Sequence, residues 1–305
     1  MAVFEIILLV LAVAAIISAV DFVAKTTSNI THSLGIPEYL ASTIIISFVV
    51  VVPLFVVMQI TNVYDVPVFG LSTALGFTLA LITLVMGIFL IKNELPVEYE
   101  GYRNATFMWA AALLLFIVSF DKFIDRMDAV FLLILFVFYT IYIIYRTEKS
   151  KEYVYLKQVV FNRLLYPVSI VAILICSWVI VYSSLNLGLQ FNIPLEKAGF
   201  IVLGLIFAIP MFDIIPSSFR SSRLTFDNII GSVIVCMTLV PAAAALISPV
   251  PLTLGGDLTL VPFLLLNVVT LIFALSTRLT YSLHKKMGIF LIALYVLSLA
   301  YMFIR

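Results

Sequence analysis

The chain has 305 residues, of which 64% are hydrophobic and 11% are charged, and its formal net charge is +1. A mean hydropathy of +1.24 lies far above that of soluble globular proteins, so the composition indicates a polytopic membrane protein. The balanced charge provides no basic surface, which excludes nucleic acid as a partner. Its two cysteines and two histidines show no spacing typical of a disulfide framework or metal cluster, so neither a cofactor nor a metal site is expected.

Hydrophobic runs long enough to cross roughly 30 Å of hydrocarbon recur ten times along the chain. The first run, near residues 4–25, has no Lys or Arg before it and is interpreted as a transmembrane helix, not a signal peptide. The other spans are predicted near 40–60, 66–91, 105–120, 128–145, 164–188, 197–219, 228–248, 259–277 and 287–304. Residues 147–162 form the longest polar connector and separate two predicted halves, 1–146 and 163–305.

The lysines and arginines are distributed unequally between the two ends of these spans. Thirteen lie at one membrane face and four at the other. Cytoplasmic connectors are enriched in Lys and Arg. The sequence therefore predicts a multi-pass protein of the cell membrane, with both termini outside and the 147–162 connector in the cytoplasm.

Proline spacing is repeated in the two halves. Pro37 and Pro53 are sixteen residues apart, as are Pro194 and Pro210, and the two pairs are offset by 157 residues. This repetition predicts a duplication. Because each copy contains five spans, an odd number, the second copy must enter the membrane from the opposite side. Inverted repeats of this kind are typical of secondary transporters.

Five positions are predicted to interrupt helices within these repeats. They are Pro53, Pro210 and Pro216, together with Gly76 and its equivalent Gly231, at an offset of 155. A proline inside a helix removes a hydrogen-bond donor and leaves the carbonyl four residues earlier without its partner. In lipid, that carbonyl must bond to a neighbouring group, to water or to an ion. A kink healed by packing is the alternative interpretation.

The same segments resemble the sodium/calcium exchangers of the cation/calcium exchanger superfamily. Where that family has G-T-S-x-P-E in each repeat, residues 49–54 read VVVVPL and residues 206–211 read IFAIPM. Where it has G-N-x-x-G-S-N-x-x-[N/D], residues 72–81 read STALGFTLAL and residues 227–236 read DNIIGSVIVC. The resemblance covers nearly the whole chain. It implies an all-α membrane fold of ten helices in two inverted five-helix repeats, and descent from cation antiporters.

The resemblance also shows what the chain lacks. Leu54 and Met211 occupy the two positions at which the family carries carboxylates. Calcium prefers about six to eight oxygen ligands, usually including carboxylates. A site without them cannot balance the charge of a divalent ion in hydrocarbon. Calcium exchange by the family arrangement is therefore not expected.

Remaining polar residues define a candidate transport pathway. Asp213 lies inside a predicted span, where an aspartate costs roughly 2.5 to 3.5 kcal/mol on insertion scales, and Ser217 follows one turn later. Asn228 and Ser232, with Asp227, come from the next span. For Asp213 the alternatives are a hydrogen-bonded tie between helices or a carboxylate at a cytoplasmic cavity near Arg220, and for Asp227 the alternative is a helix N-cap.

Two functional hypotheses follow. The first is a secondary transporter with an altered substrate, for which a proton or a monovalent cation is a more suitable coupling species than calcium. The second is a transport-dead relative that acts as a structural or regulatory membrane subunit. An enzyme is not expected, because the sequence has no acid/base pair, metal-ligand cluster or nucleophile motif. The expected partners are the lipid bilayer and a small cation or proton.

Overall fold

The computed structural model describes residues 2–93, 95–96, 99–149, 165–218, 222–253, 260–279 and 282–304. Within these residues, ten helices are long and apolar enough to cross a membrane, as the sequence predicts. In hydrocarbon the backbone can bond only to itself, which favours helices throughout.

The first half contains α1 (Ala2–Ser33), α2 (the continuous run Glu38–Leu40, Ala41–Ile46 and Ser47–Val63), α3 (Pro67–Ala80, Leu81–Val85 and Met86–Lys92), α4 (Tyr99–Val118) and α5 (Arg126–Lys149). The second half contains α6 (Leu165–Phe191), α7 (Leu195–Lys197, Ala198–Leu203 and Gly204–Ser218), α8 (Ser222–Ile247), α9 (Val261–Leu279) and α10 (Lys285–Ile304). Four two-residue strands are also present, β1 (Leu95–Pro96), β2 (Phe123–Ile124), β3 (Val250–Pro251) and β4 (Ser282–Leu283).

The strands pair across the two halves of the chain. Strand β1 is antiparallel to β4, with Leu95 opposite Leu283, and β2 is antiparallel to β3, with Ile124 opposite Val250. Each pair joins the segment after the third helix of one half to the segment before the fifth helix of the other. The pairing therefore follows the two-fold relation between the repeats.

Helices α3 and α8 form the centre of the molecule. In each, 83% of the most hydrophobic window is buried, compared with 28% in α1 and α10. Helix α3 packs on α2, α7 and α10, and α8 packs on α2, α4 and α5. Helices α1 and α6 pack along each other at the periphery.

Departures from α geometry occur as π segments inside continuous helices. They lie at Ala41–Ile46 in α2, Leu81–Val85 in α3 and Ala198–Leu203 in α7. The segments in α2 and α7 are related by the same offset of 157 as the prolines. π segments are frequent at functional sites.

The positions predicted to interrupt helices do not do so in the structure. Pro53 and Pro210 lie inside α2 and α7, after the π segments, and the helix continues through both. Gly76 and Gly231 also lie within continuous helix. Pro216 is in the helical part of α7, and its side chain lies outside the described residues. Keeping the backbone hydrogen-bonded in hydrocarbon favours a distorted helix over an open break.

The two glycines instead permit close contact between helices. A Cβ atom at Gly231 would overlap the carbonyl oxygen of Thr43, and one at Gly76 would overlap the carbonyl oxygen of Phe200. Thr43 and Phe200 are themselves separated by 157 residues, so the two contacts are equivalent. This pair of contacts is independent structural support for the inverted repeat.

Candidate functional site

The centre of the molecule, where α2, α3, α7 and α8 meet, is apolar. Leu54 is 1% exposed and Met211 is 0% exposed, and both belong to the main hydrophobic core. The neighbouring positions, which the family fills with hydroxyl residues, hold buried Val50, Val51 and Ala208 in this chain. These positions are therefore shielded from bulk solvent.

The central positions Leu54 and Met211 carry aliphatic and thioether side chains where the family carries carboxylates. Within the described part of the chain, no group of three or more His, Cys, Asp or Glu side chains is placed to hold a metal. An uncompensated divalent charge among aliphatic side chains carries a large desolvation cost. Leu54 and Met211 therefore contribute no side-chain oxygen to the shell of about six to eight oxygens that calcium prefers.

Polar contacts are found instead between the π segment of α2 and the first half of α8. The side-chain amide of Asn228 donates to the carbonyl of Ser42 at 2.7 Å and to the hydroxyl of Ser47 at 3.2 Å. The Ser47 hydroxyl lies 3.0 Å from the carbonyl oxygen of Asn228 and 3.1 Å from that of Ser42. We call this group, formed by Ser42, Ser47 and Asn228, the α2–α8 polar tie.

Three buried oxygens in the same two helix segments have no hydrogen-bond partner in the structure. They are the Thr43 hydroxyl, the Asn228 side-chain carbonyl and the Ser232 hydroxyl, and all three residues are 0% exposed. Asn228 and Ser232 are four residues apart and lie on one face of α8. Buried polar atoms normally have partners. These oxygens could therefore act as acceptors for a small ligand or an ordered water within the buried parts of α2 and α8.

The equivalent region of α3 is arranged differently. Ser72 and Thr73 both donate to the carbonyl of Phe69, and Thr78 donates to the carbonyls of Ala74 and Leu75. Hydroxyls bonded back to their own helix are satisfied locally. The two repeats thus share backbone geometry but differ in polar character, and the unsatisfied oxygens are concentrated on the α2–α8 side.

Asp227 is not a helix N-cap, because α8 begins at Ser222 and Asp227 lies in its second turn. The predicted boundary of this span was too late. Asp227 is 2% exposed, and it accepts a hydrogen bond of 2.7 Å from the side-chain amide of Asn104 in α4. The same amide donates to the hydroxyl of Tyr39 in α2 at 3.0 Å. Asp227 therefore helps to join three helices.

Sequence reasoning did not identify Asn104 and Tyr39 as members of this group. Their separations along the chain are 65 residues for Tyr39 with Asn104 and 123 for Asn104 with Asp227. Neither contact follows from periodicity or a local motif. A polar residue near the start of an otherwise apolar span is the one signal that the sequence provides.

The remaining predicted pathway residues, Asp213 and Ser217, belong to the helical segment Gly204–Ser218 of α7. Their side chains lie outside the described residues. The structure therefore brings Asn228 into contact with α2 and places Ser232 on the same face, and it joins Asp227 to α4.

Comparison with known proteins identifies the architecture. The family model for sodium/calcium exchanger proteins matches residues 4–145 and 164–304, in two segments. The structure of the sodium-calcium exchanger NCX_Mj soaked with 2.5 mM Na+ and 0.1 mM Sr2+ aligns with a TM-score of 0.72 and 18% identity, covering 98% of this chain and 99% of that chain. The same exchanger soaked with zero Na+ and Ca2+ aligns with a TM-score of 0.67 and 17% identity, with the same coverage.

At such low identity, these structural matches show a shared fold. Among curated proteins, none matches this sequence. The family match spans both halves of the chain and nearly all of the described helices. The chain therefore belongs to the sodium/calcium exchanger protein family, a family of multi-pass membrane transporters.

Proposed function

We propose that this member of the exchanger family transports a monovalent cation or a proton in place of calcium. The observation that carries the proposal is the combination of Leu54 and Met211, buried at the family's carboxylate positions, with unpartnered uncharged oxygens in the buried parts of α2 and α8. The first feature removes the charge that a divalent ion requires. The second leaves neutral oxygen acceptors, which can coordinate a monovalent cation or bind a proton carrier such as water.

The physical argument concerns charge balance. Neutral hydroxyl and amide oxygens can coordinate an ion but contribute no formal negative charge, so each unit of cation charge adds to the cost of burial. A monovalent ion or a proton lowers that cost relative to calcium. In this proposal Asn228, Ser232 and Ser217 line the pathway, and Asp213 supplies a single carboxylate, which balances one unit of positive charge. The carboxylate of Asp227 is held by Asn104 at the side of the pathway.

The proposed orientation follows from the distribution of basic residues. Thirteen of the seventeen Lys and Arg residues fall on the side that carries the 147–162 connector. That side is cytoplasmic by the positive-inside rule. Both termini are then outside the cell membrane, and the α2–α8 polar tie lies in the cytoplasmic half of the protein.

The test is flux of radiolabelled sodium and calcium into proteoliposomes under imposed pH and sodium gradients. We expect gradient-driven sodium flux, or proton flux reported by a trapped pH dye, and no calcium flux. Asp213→Asn and Asn228→Leu should each reduce the flux at least about tenfold, the effect of losing roughly 1.4 kcal/mol of ion stabilisation. Thr238→Val is the matched control, because Thr238 is also buried in α8 but bonds back to Ile234.

Calcium flux at rates equal to those of sodium would contradict the proposal. Monovalent flux that is unchanged in both Asp213→Asn and Asn228→Leu would remove these residues from the pathway. Each variant is first shown to be folded by its elution profile and thermal unfolding.

A second candidate function is that of a transport-dead structural or regulatory subunit. The observation favouring it is the complete burial of the centre, where Met211 and Ala208 are each 0% exposed. An apolar, well-packed interface stabilises a fold but binds little. Absence of any flux and of any ion binding, in protein shown to be folded, would support this second function.

A further inference from the structure

A cavity of about 480 Å³ lies between the peripheral α1–α6 pair and the inner helices of the bundle. Its walls come from the α1–α6 pair on one side and from α2, α5 and α8 on the other. Val23, Val49 and Ile173 form its buried lining. The volume falls within the range of about 300 to 1,000 Å³ that is usual for small-molecule sites.

The cavity opens towards the bilayer and not towards water. Phe48 and Ile170 stand at its opening and are 45% and 37% exposed. Both residues lie within helices that are apolar enough to cross the membrane. The medium outside the opening is therefore hydrocarbon, which excludes polar solutes as occupants.

The shape of the cavity favours a chain-like occupant. Its wall on α2 extends from Ile44 to Val52, a distance of about 12 Å at 1.5 Å per residue. A further helix, about 10 to 12 Å in diameter with its side chains, is too wide for a cavity of this volume. A flexible hydrocarbon chain fits an apolar cavity with these dimensions.

One end of the cavity is polar. The hydroxyl groups of Thr27 and Tyr166 are hydrogen-bonded to each other at 3.1 Å, where α1 nears its end and α6 begins. Close to Thr27 in sequence, the ammonium of Lys25 is paired with the carboxylate of Asp21 at 2.6 Å. Polar and charged groups at helix ends lie at the level of lipid headgroups. The cavity thus has a polar end at the interface and an apolar body in the membrane.

We propose that this cavity binds one acyl chain of a membrane phospholipid, with the headgroup at the Thr27–Tyr166 end. The lipid fills the space left between the α1–α6 pair and α2, α5 and α8, where the lining residues would otherwise have fewer contacts. Ser42, Ser47 and Asn228 of the α2–α8 polar tie do not line this cavity, and the proposal does not depend on whether the chain transports an ion.

The experiment measures lipid retention by the full chain, purified in detergent and stripped of lipid. Palmitoyl-oleoyl phosphatidylglycerol is added back, and bound lipid is counted by native mass spectrometry, with thermal stability as a second readout. We expect one tightly retained phospholipid and a higher unfolding temperature. Ile170→Trp, which places an indole in the opening, should weaken retention about tenfold, the equivalent of roughly 1.4 kcal/mol.

Val171→Trp is the matched control. Val171 is the next residue of α6, is 52% exposed and does not line the cavity, so the same indole should leave retention unchanged. A double variant, Thr27→Val with Tyr166→Phe, removes both hydroxyls and should lower phospholipid affinity while leaving binding of free palmitate unchanged.

Equal retention by Ile170→Trp and Val171→Trp would overturn the proposal, as would a wild-type protein that retains no lipid. Retention of palmitate without phospholipid would show a free fatty acid site and would also overturn it. If the same detergent concentration removed the phospholipid from wild type and from Ile170→Trp, the bound lipid would be an adventitious additive only, and the proposal would fail.

Discussion

Close contact at single glycines determines how the two repeats meet. Gly231 faces the carbonyl oxygen of Thr43 and the hydroxyl of Ser47, and a methyl group would overlap both. The Thr43 carbonyl belongs to the helix backbone, so it cannot rotate away from an added methyl group as a flexible side chain can. We therefore expect Gly231→Ala to destabilise the protein by about 1 to 3 kcal/mol, measured as a lower unfolding temperature in detergent.

Gly188 provides the control for this substitution. It also lies in a helix, but its nearest neighbour would be the end of the flexible Leu195 side chain. Because alanine favours a helix over glycine by about 1 kcal/mol, Gly188→Ala should be neutral or stabilising. Equal destabilisation by both substitutions would show that close contact with α2 is not what Gly231 provides.

What could be predicted at the residue scale depends on sequence distance. The equivalence of Gly76 and Gly231 follows from the repeat, and Leu54 and Met211 are identified by their place beside the motif prolines. The bond from Asn228 to Ser42 crosses 186 residues, and no periodic pattern encodes it. Motif-based reasoning identified Asn228 but not its partner.

At the scale of elements, the ten spans are predictable because lipid requires long apolar helices. The start of α8 is harder to predict. The apolar run begins near residue 228, but the helix already includes Ser222, because its first turn is built mostly from polar residues that hydropathy does not detect. The π segments and the paired strands also lack a sequence signal. They depend on contacts between helices that are distant in the chain.

Helix α4 is joined to α2 and α8 through one amide. The side chain of Asn104 is 0% exposed and donates to both Tyr39 and Asp227. Replacing it by Leu keeps the branched shape of the side chain but removes a donor from a buried carboxylate, a loss of about 1 to 3 kcal/mol. We expect Asn104→Leu to lower the unfolding temperature clearly.

Asn62→Leu is the comparison for this prediction, because the Asn62 amide also makes a long-range bond, to the carbonyl of Ser248, but at an exposed position. Water can replace that bond, so its loss should have little effect. If the two leucine variants unfold at the same temperature, Asn104 is not a structural link between the three helices.

For the whole molecule, the inverted repeat and the charge distribution together make a strict prediction about membrane topology. An odd number of spans in each half places equivalent loops of the two halves on opposite sides. Within the first half, the loop between α1 and α2 should be cytoplasmic and the loop between α2 and α3 outside. Exposed Leu34 and Val63 lie at these two loops.

Single cysteines at these positions test the orientation in a variant lacking Cys176 and Cys236. In intact cells, Val63→Cys should react with a membrane-impermeant thiol reagent, whereas Leu34→Cys should react only after permeabilisation. The reverse pattern would invert the protein and place the thirteen basic residues outside, against the positive-inside rule. Reaction of both in intact cells would be incompatible with α2 crossing the membrane, and the five-helix repeat would then fail as a description of this chain.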